Sequence, residues 1–275
     1  MGILISLPVS LLLLWLVLKP KKDDPYPRGG VARLLVAGAL STVVASVVSL
    51  LLSGLIALIR IGPATVAQIF RILQDDPYSL HGFLDSVSPS REVSPLRVLF
   101  ITLITVGLVE ELSKYVACRT VIHRLGMICT RMDAVICFTV TALAFEVFEN
   151  ITYASQTDAL TAFVRNLAPV HFCCGVIMGW YYGRFLVTGG KKFRWLSVLV
   201  PALIHTVYDT GLTLMGTITE VSEGSASGVI YFFLGLFVFL AAFVLTIVFV
   251  VKLVEWCKKG TLDVPVAGLP ADSAP

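Results

Sequence analysis

Ionisable and amide side chains interrupt four consecutive apolar stretches of this sequence. They are Glu110, Glu111 and Lys114 in the first stretch, Glu146, Glu149 and Asn150 in the second, His171 in the third, and His205 with Asp209 in the fourth. Members of one set that are three or four residues apart would share one face of a helix. Two imidazoles and several carboxylates are the groups that hold a catalytic zinc ion, where three protein ligands leave a fourth position for water.

These residue types predict hydrolytic chemistry. Bound zinc lowers the pKa of water towards neutrality and so provides a nucleophile, and a carboxylate outside the ligand set can pass the water's proton to a leaving amine. Lys114, one turn after Glu110, would keep that carboxylate ionised in a desolvated site. The sequence contains no HExxH pattern, so the histidines must come from different helices. His205 and Asp209 could be two ligands, or a ligand and the acceptor that orients it.

The composition predicts an integral membrane protein. Of 275 residues, 57% are hydrophobic and 14% are charged, and the mean hydropathy is +0.89. A soluble fold of this length could not bury so much apolar surface. Seven stretches can each cross a bilayer, namely residues 3–18, 34–59, 96–118, 134–154, 167–187, 195–215 and 229–251. We therefore expect an all-α polytopic membrane protein, a bundle of about seven transmembrane helices with a polar intramembrane site.

The connections between these stretches predict the topology. Every second one is basic: residues 19–33, 119–131, 191–194 and the segment from Lys252 onward. The positive-inside rule then places the N-terminus outside and the C-terminus in the cytoplasm of a multi-pass protein of the cell membrane. Residues 1–260 are predicted to form a single transmembrane helical domain, and the Pro/Ala-rich residues 261–275 a disordered C-terminal tail. Residues 60–95 are expected to be a loop, either a connector or a cover over the site.

The cost of burying charge predicts that the polar residues meet. A charged residue near the centre of a bilayer costs about 2.5–3.5 kcal/mol, so these groups should face the bundle interior. Single members also have structural explanations: Glu111 and Lys114 could form an ion pair that fixes helix register, and Asn150 could hydrogen-bond between helices. The whole set exceeds what register control requires, and the first, second and seventh stretches carry no charged residue in their interiors.

Four motifs carry a resemblance to a known family. "EELSK" at residues 110–114 resembles the EExxK motif of the PrsW family of intramembrane proteases, and "FEVFEN" at residues 145–150 resembles its FExxEN motif. "RNLAPVHFCCG" and "HTVYD" are similar to the family's later histidine-containing segments, in the same order. The resemblance covers roughly residues 96–214. The family is similar to the CAAX-type prenyl endopeptidases, which read EExxxR and have histidine at the position of Glu149, and this departure leaves the ligand set and the metal dependence open.

The resemblance implies a membrane-embedded peptidase that makes the first cut in the extracytoplasmic part of a single-span anti-sigma factor. It implies Glu110 and Glu111 as catalytic glutamates, with Glu110 as the general base. As zinc ligands it implies His171, His205, and either Glu149 or Asp209. As further residues of the site it implies Lys114, Glu146 and Asn150. The implied partners are a membrane-anchored protein substrate and the lipid bilayer, and nucleic acid is not among them.

Other functions stay open from the residues alone. A proton- or ion-coupled carrier also uses intramembrane carboxylates and histidines, although the sequence has no inverted repeat and no matched pair of broken spans. A scaffold could use the same polar core to bind partner helices. Counting from the predicted span ends places Glu110 in the cytoplasmic half of the bilayer and His171 near its outer side. Hydrolysis needs water, so we expect a cavity that opens outward or laterally.

Overall fold

The structure, a computed structural model, describes residues 2–21, 25–75, 94–154, 166–216 and 226–266. In chain order these residues form α1 (Gly2–Leu18), a 3₁₀ turn (Lys19–Lys21), α2 (Gly30–Asp75), α3 (Pro95–Thr102), a π-helical turn (Leu103–Gly107), α4 (Leu108–Leu125), α5 (Arg131–Ala154), α6 (Val170–Thr188), α7 (Lys191–Gly216) and α8 (Ala226–Lys259). The described residues contain no strand, only the isolated bridge Thr130–Pro265. Helix α3, the π turn and α4 are continuous, so a helical segment occurs at each of the seven predicted spans. The predicted all-α fold is confirmed.

Four helical segments are long and apolar enough to cross a membrane by length and composition alone. They are Gly30–Ile59 in α2, Arg131–Tyr153 in α5, Lys191–Met215 in α7 and Gly228–Lys259 in α8. Large apolar side chains cover the outer surfaces of α2 and α8, and Leu50, Leu51 and Phe237 are among the most exposed. Such a surface is stable against lipid tails rather than water. The protein is a multi-pass membrane protein.

Two helices extend further than the sequence predicted. Helix α2 continues to Asp75, so the prediction of a loop from residue 60 was wrong for residues 60–75. Apolar residues recur at helical spacing in this part of the sequence, at Val66, Ile69 and Leu73. The rest of that predicted loop, residues 76–93, lies outside the described residues. Helix α4 continues to Leu125 and ends where Gly126 adopts a φ of +58°, the left-handed conformation that glycine favours at helix ends.

Helix α5 is the centre of the bundle, and α6 packs closely against it. The contact is formed by Gly175, Gly179 and Gly183, which lie one helical turn apart. A Cβ atom on Gly175 would lie 2.7 Å from the Cβ of Ala142, and one on Gly179 would lie 2.5 Å from the Cα of Val135. Small residues at this spacing let two membrane helices approach with their backbones in contact. Position 171 is four residues before Gly175, so the same face of α6 carries a histidine towards α5.

The basic connections, residues 19–33, 119–131, 191–194 and the segment from Lys252, mark one end of the bundle, which we call the basic end. A buried carboxylate joins the loops there. Asp133, near the start of α5, lies 2.8 Å from Lys21 Nζ and accepts the Tyr26 O–H at 3.0 Å. It also accepts the backbone N–H groups of Cys129 and Thr130. Burial raises the pKa of the Tyr26 phenol, so that its O–H stays protonated and donates to Asp133. These contacts fix the α1–α2 connection to the start of α5.

The segment after α8 packs against the same end. The carbonyl oxygens of Leu262 and Val264 accept the backbone N–H groups of Met132 at 3.0 Å and Arg131 at 3.2 Å, and Leu262 is buried. The sequence predicted a disordered tail from residue 261, whereas residues 261–266 cap the start of α5. Residues 267–275 lie outside the described residues. The extent of the single domain, residues 1–260, stays a prediction.

Candidate active site

The chemistry-bearing residues lie at one depth on α4, α5, α6 and α7. Glu110 is fifteen residues from the basic end of its helix, Glu146 fifteen, His205 fourteen and His171 seventeen. At 1.5 Å per residue these residues lie about 21–26 Å from the basic ends. Because the hydrocarbon core is about 30 Å thick, the site lies in the half of the bilayer away from the basic ends. The sequence-based count misplaced Glu110 because it ended the span at residue 118 instead of Leu125.

Lys114 is 1% exposed and lies in the middle of a buried polar cluster. Its Nζ atom donates to Glu111 Oε1 at 2.7 Å and to His171 Nδ1 at 2.6 Å. It also lies 4.0 Å from the centre of the Phe145 ring and 3.8 Å from Glu110 Oε2. A buried ammonium is tolerated only when hydrogen bonds and opposite charge compensate its lost hydration. Lys114 and Glu111 therefore form a charged pair, and each hydrogen-bonds one imidazole: Lys114 that of His171 and Glu111 that of His205.

Glu111 also orients His205. Its Oε1 atom accepts the Nδ1–H of His205 at 3.1 Å, and the Nε2 atom of that ring faces Asp209 Oδ2 at 3.0 Å. A carboxylate that holds one ring nitrogen directs the other towards a metal, which is the usual arrangement around metal-binding histidines. The rings of His171 and His205 are nearly perpendicular, with their centres 4.7 Å apart. The two imidazoles therefore face the same small volume.

His171 has a different proton arrangement. An ammonium can only donate, so the Nδ1 atom of His171 accepts from Lys114, and its Nε2 atom carries the proton. That proton is donated to Glu149 Oε2 at 2.6 Å. A metal at His171 Nε2 would displace this proton, because a ligating imidazole needs its lone pair. Glu149 is positioned to accept it and, because it lines the cavity, to release it to water.

Three ligand atoms converge in front of the two rings. One carboxylate oxygen of Glu110 and one ring nitrogen each of His171 and His205 lie within 4.8 Å of one another. Glu110 Oε2 is 4.0 Å from His171 Nε2 and 3.9 Å from His205 Nε2. Within the described part of the chain this buried oxygen has no hydrogen-bond partner, an arrangement that costs free energy and that a cation would relieve. Two imidazoles and a carboxylate match three-ligand catalytic zinc sites, so the residues fit a metal.

Three carboxylates of the site reach a cavity of about 440 Å³. Glu110 and Glu149 are each 13% exposed and Asp209 is 21% exposed, whereas Glu111 is completely buried. The cavity is also lined by Tyr153, near the far end of α5, together with Thr152, Leu212 and Thr213. Helices α5 and α7 both start at the basic end, and these residues come later in each helix than its site residues. The cavity therefore extends from the site towards the opposite end of the bundle.

Helix α2 contributes a polar wall that the sequence analysis missed. Thr42, Ser46 and Ser49 line the cavity together with Thr102. The Ser49 hydroxyl donates to the carbonyl oxygen of Thr105, inside the π turn. Spacings of three and four residues put these α2 hydroxyls on one face, and this was the available signal in residues 34–59, a stretch without charged residues. The wall places α2 opposite the acidic residues of the site.

Glu146 and Asn150 support the site from α5. Glu146 Oε2 accepts the backbone N–H of Phe172 at 3.2 Å, in the first turn of α6. Backbone N–H groups of a first helical turn lack partners within the helix, and a carboxylate is favourable there. Asn150 donates to Asn166 Oδ1 at 2.9 Å. Asn166 is a further contributor that the sequence analysis quoted within a motif but did not assign.

The structure brings the nine predicted site residues to one region of four helices. Glu110, His171 and His205 supply the converging ligand atoms, and Glu149 and Asp209 contact the two Nε2 atoms. The remaining four, which are Glu111, Lys114, Glu146 and Asn150, lie behind or beside them. The geometry adds Glu110 to the candidate metal ligands, whereas the resemblance implied it as general base.

Comparison with known proteins agrees with the motifs. A family model described as PrsW family intramembrane metalloprotease matches residues 27–248. A protein named Protease PrsW from Bacillus subtilis (strain 168) is 32% identical over 121 residues, which are 42% of this chain and 56% of that relative. Another Protease PrsW, from Geobacillus kaustophilus (strain HTA426), is 37% identical over 81 residues, 28% of this chain and 36% of the relative.

A third Protease PrsW, from Clostridioides difficile (strain 630), is 26% identical over 122 residues, 41% of this chain and 51% of the relative. The chain thus spans about half the length, or less, of the curated relatives that it matches. No solved structure gives a significant match to this chain. The family match rests on most of the chain, and the alignments to single relatives on less than half of it.

Proposed function

Because the chain belongs to the PrsW family of intramembrane metalloproteases, we propose that it is an intramembrane endopeptidase that hydrolyses a peptide bond of a membrane-anchored protein. The observation that carries the proposal is the convergence of Glu110, His171 and His205 within 4.8 Å beside a cavity of about 440 Å³. Peptide hydrolysis inside a membrane needs ligand groups, water and room for a backbone in one place, out of contact with lipid.

In this proposal Glu110, His171 and His205 hold zinc. When bound, zinc supplies a Lewis acid and a water whose pKa is close to neutral. Glu111 keeps His205 in the orientation that directs Nε2 at the site, and Lys114 keeps Glu111 ionised. We assign Glu110 as a ligand rather than the general base because its Oε2 atom is nearly equidistant from the two Nε2 atoms.

Glu149 is then the proposed general base. Its side chain reaches the cavity and lies 2.6 Å from His171 Nε2, the ring nitrogen that would hold zinc. It would take a proton from the attacking water as the water oxygen bonds to the carbonyl carbon of the peptide. It would then give that proton to the leaving amine as the C–N bond breaks. Asp209, 3.0 Å from His205 Nε2, is the alternative third ligand, so that the fourth position stays available for water.

The basic connections support a topology with the N-terminus outside and the C-terminus in the cytoplasm of the cell membrane. In that topology the cavity faces the extracytoplasmic side, since it extends away from the basic ends. A cut there would fall in the outer part of a membrane-anchored substrate. The substrate that the family resemblance suggests is a single-span anti-sigma factor, cut first at this position and afterwards within the membrane.

Two isosteric substitutions test the assignment of ligand and base. We expect purified Glu110→Gln to lose both zinc and peptidase activity, because an amide is a poor zinc ligand. We expect Glu149→Gln to keep zinc and to lose about 100-fold or more in kcat, the range for removal of a general base. Zinc is measured by mass spectrometry on protein prepared without chelators, and activity by cleavage of a membrane-anchored reporter.

The matched control is Glu255→Gln, which removes a carboxylate from the outer surface of α8 and should keep both zinc and activity. Stoichiometric zinc in Glu110→Gln would contradict the ligand assignment, and a wild-type rate in Glu149→Gln would contradict the base. Absence of cleavage by the wild type, together with ion flux in proteoliposomes, would favour the carrier instead. The anti-sigma factor is tested by co-expression, where cleavage must depend on Glu149.

A further inference from the structure

A row of alternating cations and aromatic rings crosses the basic end of the bundle, about 20 Å from the site. Arg131, at the start of α5, lies 5.7 Å from the ring centre of Trp180 on α6, and Arg184 lies 5.6 Å from the same ring. Arg184 also lies 4.3 Å from the ring centre of Phe193 on α7, which Lys192 approaches to 5.2 Å. We call these five residues the cation ladder.

The ladder concentrates positive charge without a matching carboxylate. In the part of the chain that the structure describes, none of its three cations lies within 4.0 Å of a carboxylate oxygen. Two carboxylates at the same end are engaged elsewhere: Asp133 by Lys21, and Glu255 by Lys252 and Lys259. Three cations held this close repel one another unless an anion lies between them.

The geometry of the two arginines suits a phosphate group. A guanidinium attracted to the face of an aromatic ring still has N–H groups for hydrogen bonds, and these can bind phosphate oxygens in pairs. The Nε atom of Arg131 is buried and, among the described residues, has no hydrogen-bond partner. A buried donor in this state lacks an acceptor that a ligand oxygen could supply. Arg184 and Lys192 are exposed and so accessible from outside.

We propose that the cation ladder binds the phosphate group of an anionic phospholipid. The ladder lies between the ends of three membrane helices, at the level where tryptophan meets lipid headgroups. Basic pockets between helix ends on the cytoplasmic side are typical sites for anionic headgroups. A bound phospholipid would join α5, α6 and α7 at the end opposite the site. The proposal does not depend on the peptidase function.

The test compares lipid binding by the full-length protein in detergent. Native mass spectrometry measures the affinity for phosphatidylglycerol and for phosphatidylcholine with the same acyl chains. We expect wild type to bind phosphatidylglycerol about tenfold more tightly, and Arg184→Gln to lose most of that preference, since one charge-assisted contact is worth about a factor of ten or more. Lys192→Gln should lose a smaller part. The control Lys259→Gln, another exposed cation of the same end, should keep the full preference.

Equal affinity for the two lipids, or equal behaviour of Arg184→Gln and Lys259→Gln, would overturn the proposal. A further arm adds inorganic phosphate in excess. Phosphatidylglycerol that stays bound supports a lipid, whereas complete displacement, with phosphate alone raising the melting temperature as much as the lipid does, would overturn the lipid and leave a free phosphate as the ligand. Melting curves in phosphatidylcholine show whether each variant is folded, and a variant that melts like wild type is compared directly.

Discussion

Helices α5 and α8 both cross the membrane, but they differ in composition and in what surrounds them. The most apolar part of α5 has a mean hydropathy of 1.7 and 78% of its residues are buried, whereas in α8 the values are 3.0 and 17%. In a soluble protein the buried element would be the more apolar one. Here the order is reversed, because lipid tails surround the outer helices while the inner helices contact one another.

This difference between inner and outer helices explains why the polar residues of the site occur on the inner ones. Glu146, Glu149 and Asn150 occur on α5, and their hydrogen-bond partners are His171 and Phe172 on α6 and Asn166 just before it. Helix α2 lies between the two in mean hydropathy, at 2.5, but only 11% of its most apolar part is buried. Even so, Thr42 and Ser46 line the cavity. Substitutions on inner surfaces should therefore have large effects, and those on outer surfaces small ones.

The largest effect is expected for glycine at the α5–α6 contact. We expect Gly179→Val to prevent a stable fold, because its Cβ would lie 2.5 Å from Val135 Cα and 2.6 Å from Ala134 O. Overpacking typically costs about 1–3 kcal/mol, and occasionally more; here the Cβ would meet backbone atoms, which cannot move aside as a side chain can. The control is Gly54→Val on α2, where a Cβ would meet no atom within 4 Å. Thermal melting in detergent measures both, and equal melting temperatures would contradict close packing at Gly179.

The next effect concerns the start of α6. We expect Glu146→Ala to lower kcat by about 10- to 100-fold, the range for residues that orient a metal ligand, because Phe172 N–H loses its acceptor and His171 loses its fixed position. Glu146→Gln keeps an acceptor oxygen and should recover most of the rate. Kinetics with the reporter substrate measure this, and equal rates for the Ala and Gln variants would refute a positioning role.

A smaller effect is expected on the cavity wall. Ser46→Phe should fill part of the cavity and raise KM several-fold while zinc content stays the same, since Ser46 lies on the wall and not in the ligand group. Val47→Phe, the adjacent exposed position on α2, should leave KM unchanged. If both variants behave alike, the cavity is not the path of the substrate.

The smallest effect is expected on the outer surface. Leu240→Ala on α8 should change stability by less than about 0.5 kcal/mol and leave activity unchanged, because this side chain is exposed and leaves no cavity when shortened. Melting temperature and reporter cleavage check the expectation. A loss comparable with that of Glu146→Ala would mean that α8 contacts the substrate or a partner.

Much of the site followed from the sequence because intramembrane charge is rare and its spacing is periodic. The set from Glu110 to Asp209 was recognisable for that reason, and so was the helical fold. The helix ends were harder to predict. The predicted span ended at residue 118, because hydropathy marks the hydrocarbon core, whereas the helix itself continues to Leu125. That difference of seven residues produced the apparent conflict in depth between Glu110 and His171.

Other features depended on contacts between helices, which spacing within one helix does not reveal. In the sequence, Thr42, Ser46 and Ser49 look like ordinary small residues of a membrane helix. Only the structure shows that they line the same cavity as the carboxylates. The glycines of α6 likewise acquire meaning only from the backbone of α5 against them. The sequence also could not show that Glu110, rather than Glu149 or Asp209, lies with the two imidazoles. That choice depends on side-chain positions on three different helices.

The most direct test of the central claim is diffraction from crystals of the full-length protein at the zinc absorption edge. The account predicts one anomalous peak in front of the imidazole rings, within coordination distance of a Glu110 oxygen, His171 Nε2 and His205 Nε2. A zinc-loaded, active preparation whose only anomalous peak lies away from these three side chains would contradict it.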